Sequence, residues 1–259
     1  MPLTVNKRYE QTIQARKLII DMAATEVGCH IGGSLSVIDL LLTSFALYGH
    51  DERNRIILSK GHAAAALYST LHVLGLIQDN PADSYGKKDS LFTGHPNYLL
   101  PHIPFATGSL GHGPAYGAGW ALSQRIRGEQ GISIVISGDG ELQEGSCWEA
   151  LQVIAAKQIN NFIHIIDVNG GQNDGLVQDI SPLPHLGDRF RAFGFDVVEI
   201  DGHDLEQITA ALEGKAERPL AILAHTIKGK GIKAMEGNPA AHYAKISRAQ
   251  AYKWKEALI

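Results

Sequence analysis

The strongest constraint on the fold is a series of short apolar runs, rich in β-branched residues, that alternate with segments of helical character. The runs occupy residues 55–59, 132–137, 162–168, 195–200 and 220–227. Strands that alternate with helices form a parallel sheet covered by helices on both faces. The sequence therefore predicts an α/β fold. Because neither a repeat nor a linker is visible, we expect one domain over residues 1–259.

Helical periodicity and propensity predict the segments between the strands. The predicted helices cover residues 5–27, 37–48, 63–76, 116–126, 144–157 and 205–212. Ser36 is the predicted N-cap of the second helix, which follows a glycine-rich connection over residues 28–33. Residues 77–110 are rich in proline and glycine but also carry aromatic side chains. Such a long irregular excursion favours an ordered functional loop.

Composition excludes several classes of protein. The net charge is −4 and no basic run occurs, so a nucleic-acid partner is not expected. The two cysteines, Cys29 and Cys147, form no CxxC pair, which argues against a disulfide scaffold. Residues 1–24 lack the continuous apolar core of a signal peptide, and no stretch approaches the ~18 apolar residues of a membrane span. We expect a soluble cytoplasmic protein without a membrane partner.

Polar residues follow two of the predicted strands. The run 132–137 is followed by Gly138-Asp139-Gly140, and the run 162–168 by Asn169-Gly170-Gly171. Ligands of open parallel sheets bind where the carboxyl ends of strands meet. A carboxylate, an amide oxygen and a backbone carbonyl are ligands that suit Mg²⁺ together with phosphate oxygens. Gly-Asp-Gly alone is compatible with a tight strand–helix turn, but its pairing with Asn169 favours a metal–diphosphate site.

Histidine is unusually frequent, with twelve residues in the chain. Five lie in turn-like segments: His30, His62, His95, His112 and His242. An isolated histidine is most often structural, yet histidine is also the side chain that donates and accepts protons near neutral pH. His72, His164 and His203 lie in regular elements or ordinary turns and are not predicted to be site residues.

These motifs resemble the transketolase family. Gly-Asp-Gly followed by asparagine at the next strand end resembles the sequence fingerprint of thiamine diphosphate binding. The segment GDGELQEGSCWEA is similar to the transketolase version of this fingerprint. Further segments resemble family motifs in the expected order: GCHIGGSLS, LSKGHAAAALYS, FTGHPN, TGSLGHG and HTIKGKGIKAMEGNPAAH. The resemblance implies a thiamine diphosphate-binding fold, specifically that of the domain that binds the diphosphate of the cofactor.

The resemblance also implies roles for individual residues. Metal ligands would be Asp139, Asn169 and the carbonyl of Gly171. Contacts with the cofactor would come from His62, Gly108, Leu110, Gly138, Asp139, Gly140, Asn169 and His242. His30, His95 and His242 would act catalytically on substrate hydroxyls. Glu144 resembles a residue at the subunit interface that couples paired cofactor sites.

The implied activity is that of a transketolase-like transferase, which moves a two-carbon ketol unit from a ketose or its phosphate to an aldose. In the family, a separate pyrimidine-binding domain supplies the glutamate that activates the cofactor. This chain therefore resembles the N-terminal subunit of a split transketolase, with a C-terminal pyrimidine-domain partner in an α2β2 assembly. Two alternatives stay open: a subunit of a thiamine diphosphate-dependent 2-oxo acid or acyloin enzyme, and a noncatalytic assembly subunit. The sequence departs from the family motifs at positions such as Ala241 and Asn173. These departures leave the identity of the sugar substrate undetermined.

Overall fold

A computed structural model of the protein describes residues 5–258, with the side chains of residues 7–258. The ends of the predicted 1–259 domain lie outside these residues. Five parallel strands form one sheet in the order β1-β2-β3-β5-β4. Their bounds are β1 Arg55–Leu58, β2 Ser133–Gly138, β3 Phe162–Val168, β4 Asp196–Asp201 and β5 Leu220–His225. The predicted α/β fold with a parallel sheet is confirmed.

Ten α-helices accompany the sheet in the described part of the chain. They are α1 Val5–Ala23, α2 Ile31–Tyr48, α3 Ala64–Val73, α4 Pro81–Ser84, α5 His112–Arg127, α6 Gly145–Ala156, α7 Val177–Ile180, α8 Leu186–Ala192, α9 Leu205–Glu213 and α10 Arg248–Ala257. Successive strand residues point to opposite faces. Ile134 and Ile136 of β2 therefore pack with α1, α2, α3 and α9, whereas Val135 packs with α5, α6 and α8. Each face thus has its own apolar core.

Helix α2 begins at Ile31, so the predicted start at residue 37 with Ser36 as the N-cap was wrong, and the predicted connection over residues 28–33 ends at residue 30. Ser36 lies inside the helix, where its hydroxyl donates to the Asp167 carboxylate at 2.6 Å. Glycine is needed at position 32, in the first turn of α2, because the loop after β5 approaches it closely. A Cβ at Gly32 would lie 1.8 Å from the carbonyl oxygen of Ala241. The glycines therefore permit close packing of a helix rather than marking a loop.

The same helix meets the length and hydropathy of a membrane span, with a mean hydropathy of 1.6 over residues 31–48. The prediction that no segment approaches such a span was therefore wrong for α2. However, 83% of this window is buried inside the protein. Its apolar side chains are covered by α1, α3 and the sheet, as in a core helix.

Other element bounds differ from the sequence predictions at their ends. Helix α1 ends at Ala23 instead of residue 27, and a single 3-10 turn precedes α3. Helices α4, α7, α8 and α10 were not predicted from the sequence. Helix α10 is polar overall, and Ala251 is its one buried residue. Ser247 caps it by accepting from the amide of Gln250. The excursion over residues 77–110 is irregular apart from α4, as predicted.

A buried ionic network joins α1 to α2. Arg16 donates to both carboxylate oxygens of Asp39, at 2.9 and 2.5 Å, and both side chains are nearly inaccessible. His203 Nε2 accepts from the amide of Ile227 at 2.9 Å, so the ring donates from Nδ1 to Asp39 at 2.7 Å. Burial alone would raise the pKa of Asp39, but Arg16 and His203 hold it below its ordinary value. The network fixes the start of the loop that follows β5.

We expect Asp39→Ala to lower the free energy of unfolding by about 3–5 kcal/mol, because it leaves the Arg16 guanidinium buried without a partner. Urea unfolding monitored by circular dichroism measures this change. Asp51→Ala is the matched control, since Asp51 forms its ion pair with Arg53 at the surface, and we expect a far smaller change there. Equal losses in the two variants would contradict the structural role assigned to Asp39.

Candidate active site

The structure brings the two predicted strand ends together. Strands β2 and β3 pair with Gly138 beside Asp167, and the residues that follow them meet at the carboxyl edge of the sheet. The Asp139 carboxylate accepts from the amides of Gly140 at 2.9 Å and Gly170 at 2.7 Å. The side-chain oxygen of Asn169 accepts from the amide of Gly171 at 3.0 Å. Oxygens of both side chains are thus held at adjoining turns.

A buried carboxylate that the sequence analysis missed lies beneath these turns. Asp167 is inaccessible and forms an ion pair with Lys60 at 2.5 Å, itself 2% exposed. It also accepts from Ser36 at 2.6 Å, from the Asn169 amide at 3.2 Å and from the Thr226 hydroxyl. The available signal was an aspartate inside a buried, mostly apolar strand, since a buried charge requires partners.

A second lysine lies on the other side of the turns. Lys228 is 3% exposed, and its ammonium donates to the carbonyls of Gln172 at 3.0 Å and Pro239 at 3.1 Å. Between residues 5 and 258, no carboxylate forms a salt bridge with it. Burial, and then the charge of Lys60, lower the pKa of Lys228 to about 8. Gly171 lets this lysine lie against the turn, because a Cβ would be 2.9 Å from Cδ of Lys228.

The electrostatics of the site suit a metal–diphosphate group. Burial, and then the nearby Asp167 carboxylate, raise the pKa of Asp139 to about 6, so a cation at Asp139 would relieve an unfavourable negative charge. An anion beside Lys60 and Lys228 would likewise relieve two crowded positive charges. Gln172 leaves its buried side-chain nitrogen without a partner. The donor set therefore fits the predicted cofactor and ion.

Four predicted histidines form one cluster beside this charged site. The ring centroid of His30 lies 5.5 Å from that of His62, 6.0 Å from His95 and 5.1 Å from His242. The centroids of His62 and His242 are 5.2 Å apart. His62 adjoins the charged groups, because a Cβ at Gly33 would contact both His62 Nε2 and Lys60 Nζ, at 3.4 and 3.5 Å. Segments distant in the sequence thus meet in one cluster.

Crowding and burial keep three of these imidazoles neutral. Burial, followed by the charge of Lys60, lowers the pKa of His62 well below its ordinary value. Burial, followed by Lys228 and His30, lowers the pKa of His242 to about 4. Burial and His95 lower the pKa of His30. Each neutral ring has one donor and one acceptor nitrogen, which suits contact with sugar hydroxyls.

The other predicted site residues are glycines and loop positions around this cluster. Gly108 contacts the cluster closely, since a Cβ there would lie 3.2 Å from Cδ2 of His95. Gly138 is buried at the end of β2, and Gly140 leaves room for the Gln172 side chain. Leu110 is half-buried in the turn before α5, and its contact with the cofactor remains a prediction.

Three further residues lie outside the cluster or at its edge. Glu144 is exposed at the N-cap of α6, and its interface role also remains a prediction. His164 is buried and bonds to Ser137 at 2.9 Å, and His203 belongs to the Asp39 network. Within residues 5–258, no group of three or more His, Cys, Asp or Glu side chains could hold a metal ion. The predicted ligand set is of another kind, with one carboxylate, one amide and one carbonyl.

Comparison with known proteins decides the family. The profile described as "Transketolase, thiamine diphosphate binding domain" matches residues 8–258. The chain belongs to this family. An apulose-4-phosphate transketolase subunit of Phocaeicola vulgatus is 33% identical over 256 residues, which are 93% of this chain and 90% of that protein. The 6-deoxy-6-sulfo-D-fructose transketolase subunit SqwG of Clostridium sp. (strain MSTE9) is 36% identical over 98% of this chain and 95% of that protein.

A solved transketolase shows the same architecture. The transketolase of Campylobacter jejuni superposes with a TM-score of 0.85 at 30% sequence identity. The match covers 99% of this chain but 46% of that chain. This transketolase-family chain therefore spans less than half the length of that solved transketolase, and nearly the whole length of the relatives named as subunits.

We expect nuclear magnetic resonance titration of this transketolase-family chain to show a neutral His242 ring down to about pH 4. The ordinary value is 6.5, so the unfolded chain binds more protons between these two pH values. Stability contributed through His242 is therefore lost as pH falls below 6.5. His242→Gln assigns the resonance and should lose less stability over that window. A titration midpoint near 6.5 would contradict the burial assigned to His242.

Proposed function

We propose that this chain is the diphosphate-binding subunit of a two-component transketolase that transfers a two-carbon ketol unit from a ketose or its phosphate to an aldose. The observation that carries the proposal is the four-histidine cluster directly beside the Lys60–Asp167 pair. Anion-binding lysines and hydroxyl-binding imidazoles adjoin each other, as a cofactor diphosphate and a sugar together require.

Thiamine diphosphate and Mg²⁺ are the proposed cofactors. Asp139, Asn169 and the Gly171 carbonyl would bind the ion, whose charge offsets that of the diphosphate. Lys60, Lys228 and His62 would lie along the diphosphate, with the backbone at Gly138, Gly140, Gly108 and Leu110. When bound, thiamine diphosphate supplies the nucleophilic carbon and the electron sink needed to break a carbon–carbon bond beside a ketone. The protein binds and orients the cofactor and moves protons.

Proton transfer is the proposed task of His30, His95 and His242. The pKa values of His30 and His242 lie below the ordinary value, so these rings are neutral at neutral pH and can accept a proton from a donor-sugar hydroxyl. The same nitrogen then returns the proton to the oxygen of the acceptor. The cluster spacing of 5–6 Å allows several hydroxyls to be contacted at once.

A second polypeptide completes the proposed enzyme. Two of the relatives that this chain covers almost fully are named as subunits. We propose a pyrimidine-domain partner that supplies the activating glutamate, in an α2β2 assembly within the cytoplasm. Substrates of the named relatives are a phosphorylated and a sulfonated sugar. An anionic ketose is therefore the proposed donor class.

The two rival functions receive less support. A 2-oxo acid or acyloin enzyme has less use for four histidines that contact hydroxyls than a ketol transferase has. A noncatalytic assembly subunit has no need for buried lysines and a strand-end carboxylate whose pKa is raised by burial. The chemistry of the side chains favours ketol transfer over both.

A pair of variants separates cofactor binding from turnover in the complex with the partner subunit. We expect Asp139→Ala to abolish Mg²⁺-dependent binding of thiamine diphosphate in titration calorimetry, since the ion loses its charged ligand. We expect His242→Gln to change that affinity little while lowering kcat about a hundredfold, within the usual range for a general acid or base. Asp188→Ala, at an exposed position of α8, is the matched control.

The opposite pattern would contradict the proposal. Full cofactor affinity in Asp139→Ala would exclude the proposed ion site. Unchanged turnover in His242→Gln would exclude its proposed part in proton transfer.

A further inference from the structure

The residue after His242 is a tyrosine that contacts the histidine cluster. Cys29 and Ala244 form an antiparallel bridge and exchange two backbone hydrogen bonds of 3.0 Å. Side chains alternate across such a pair, so His30 and Tyr243 share the face opposite Cys29. Cys29 is 1% exposed and points into the core. Tyr243 therefore lies on the same side as the cluster.

The Tyr243 ring is held at both of its ends. Its centroid lies 5.0 Å from that of His30, with the two planes nearly perpendicular at 84°. Such an edge-to-face arrangement is a favourable geometry for aromatic rings. The hydroxyl donates to the carbonyl of Val27, in the segment that precedes His30. The ring therefore crosses residues 27–30 and cannot swing away without losing both contacts.

The same ring is half-exposed, at 50% of its full surface. A tyrosine that served the core would be covered, as Tyr68 is at 0%. Tyr243 instead presents a fixed, largely apolar surface to solvent immediately beside a ring of the cluster. A sugar that contacts His30 from the side of Tyr243 would lie against this surface.

We propose that Tyr243 is a specificity-determining residue that forms one wall of the substrate entrance and limits the length of the acceptor sugar. This inference rests on the proposed ketol transfer and adds the selection of chain length to it. A short aldose leaves the space beside the ring empty, whereas a longer chain meets the fixed ring. Replacing the ring by a methyl group would open that space without altering the lysines or the strand-end oxygens.

The test compares acceptors of different length with one ketose donor, using the chain in complex with its partner subunit. The probes are glycolaldehyde as the short acceptor and unphosphorylated aldopentoses and aldohexoses as the long ones. We expect Tyr243→Ala to raise the ratio of kcat/KM for long over short acceptors about tenfold, the scale on which a pocket discriminates by size. Tyr243→Phe keeps the ring and should keep the ratio within about twofold of the wild-type value.

Tyr9→Ala is the matched control, because Tyr9 is a comparably exposed tyrosine, at 56%, on α1. An unchanged ratio in Tyr243→Ala, or an equal change in Tyr9→Ala, would overturn the specificity role while leaving the proposed transketolase activity in place. Absence of ketol transfer by the wild-type complex with every acceptor would instead overturn the proposed function, and the inference with it.

Discussion

The Lys60–Asp167 ion pair is the interaction on which the site depends. Both groups are buried, so neither can be removed without leaving the other charged and unpaired, a loss of about 3–5 kcal/mol for such pairs. The carboxylate also binds side chains from α2, from the turn after β3 and from the loop after β5. One group thus fixes the segments that carry Asn169, Lys228 and the first glycines of α2 relative to one another.

The pKa values of two charged groups in the site indicate what the site binds. The raised pKa of Asp139 and the lowered pKa of Lys228 both show charged groups held in surroundings that disfavour them. A fold selected for stability alone would avoid such positions, and strongly perturbed groups in a cleft are candidates for function. A cation at Asp139 and an anion at the lysines would relieve both at once. A site that favours a cation and an anion side by side matches a metal–diphosphate group.

The sequence predicted the parts of the fold that local pattern determines. Apolar β-branched runs located the strands, and the residues directly after β2 and β3 located the strand-end oxygens. Local pattern failed where long-range contact decides the structure. Gly32 and Gly33 were predicted to form a connection because glycine disfavours helices. Both lie in the first turn of α2, where the Ala241 carbonyl approaches Gly32 too closely for a Cβ, whereas a Cβ at Gly33 would make an ordinary contact with the His62 ring at 3.4 Å.

Lys60 and Asp167 were missed for a related reason. The aspartate inside a buried strand was a signal, but its partner lies more than a hundred positions away in the chain, and no local pattern reveals that pairing. Tyr243 was missed because its contact with His30 depends on a short antiparallel bridge outside the sheet. In contrast, the histidines were found by their positions in family-like motifs, and the structure adds that four of them meet.

The proposed ion site is tested most directly by an anomalous difference map from crystals of the complex grown with thiamine diphosphate and Mn²⁺. Mn²⁺ favours the same oxygen ligands as Mg²⁺. One strong peak should lie between the side-chain oxygens of Asp139 and Asn169 and the carbonyl of Gly171. Full occupancy by the cofactor with no peak at these oxygens, or a metal bound elsewhere on the diphosphate, would contradict it.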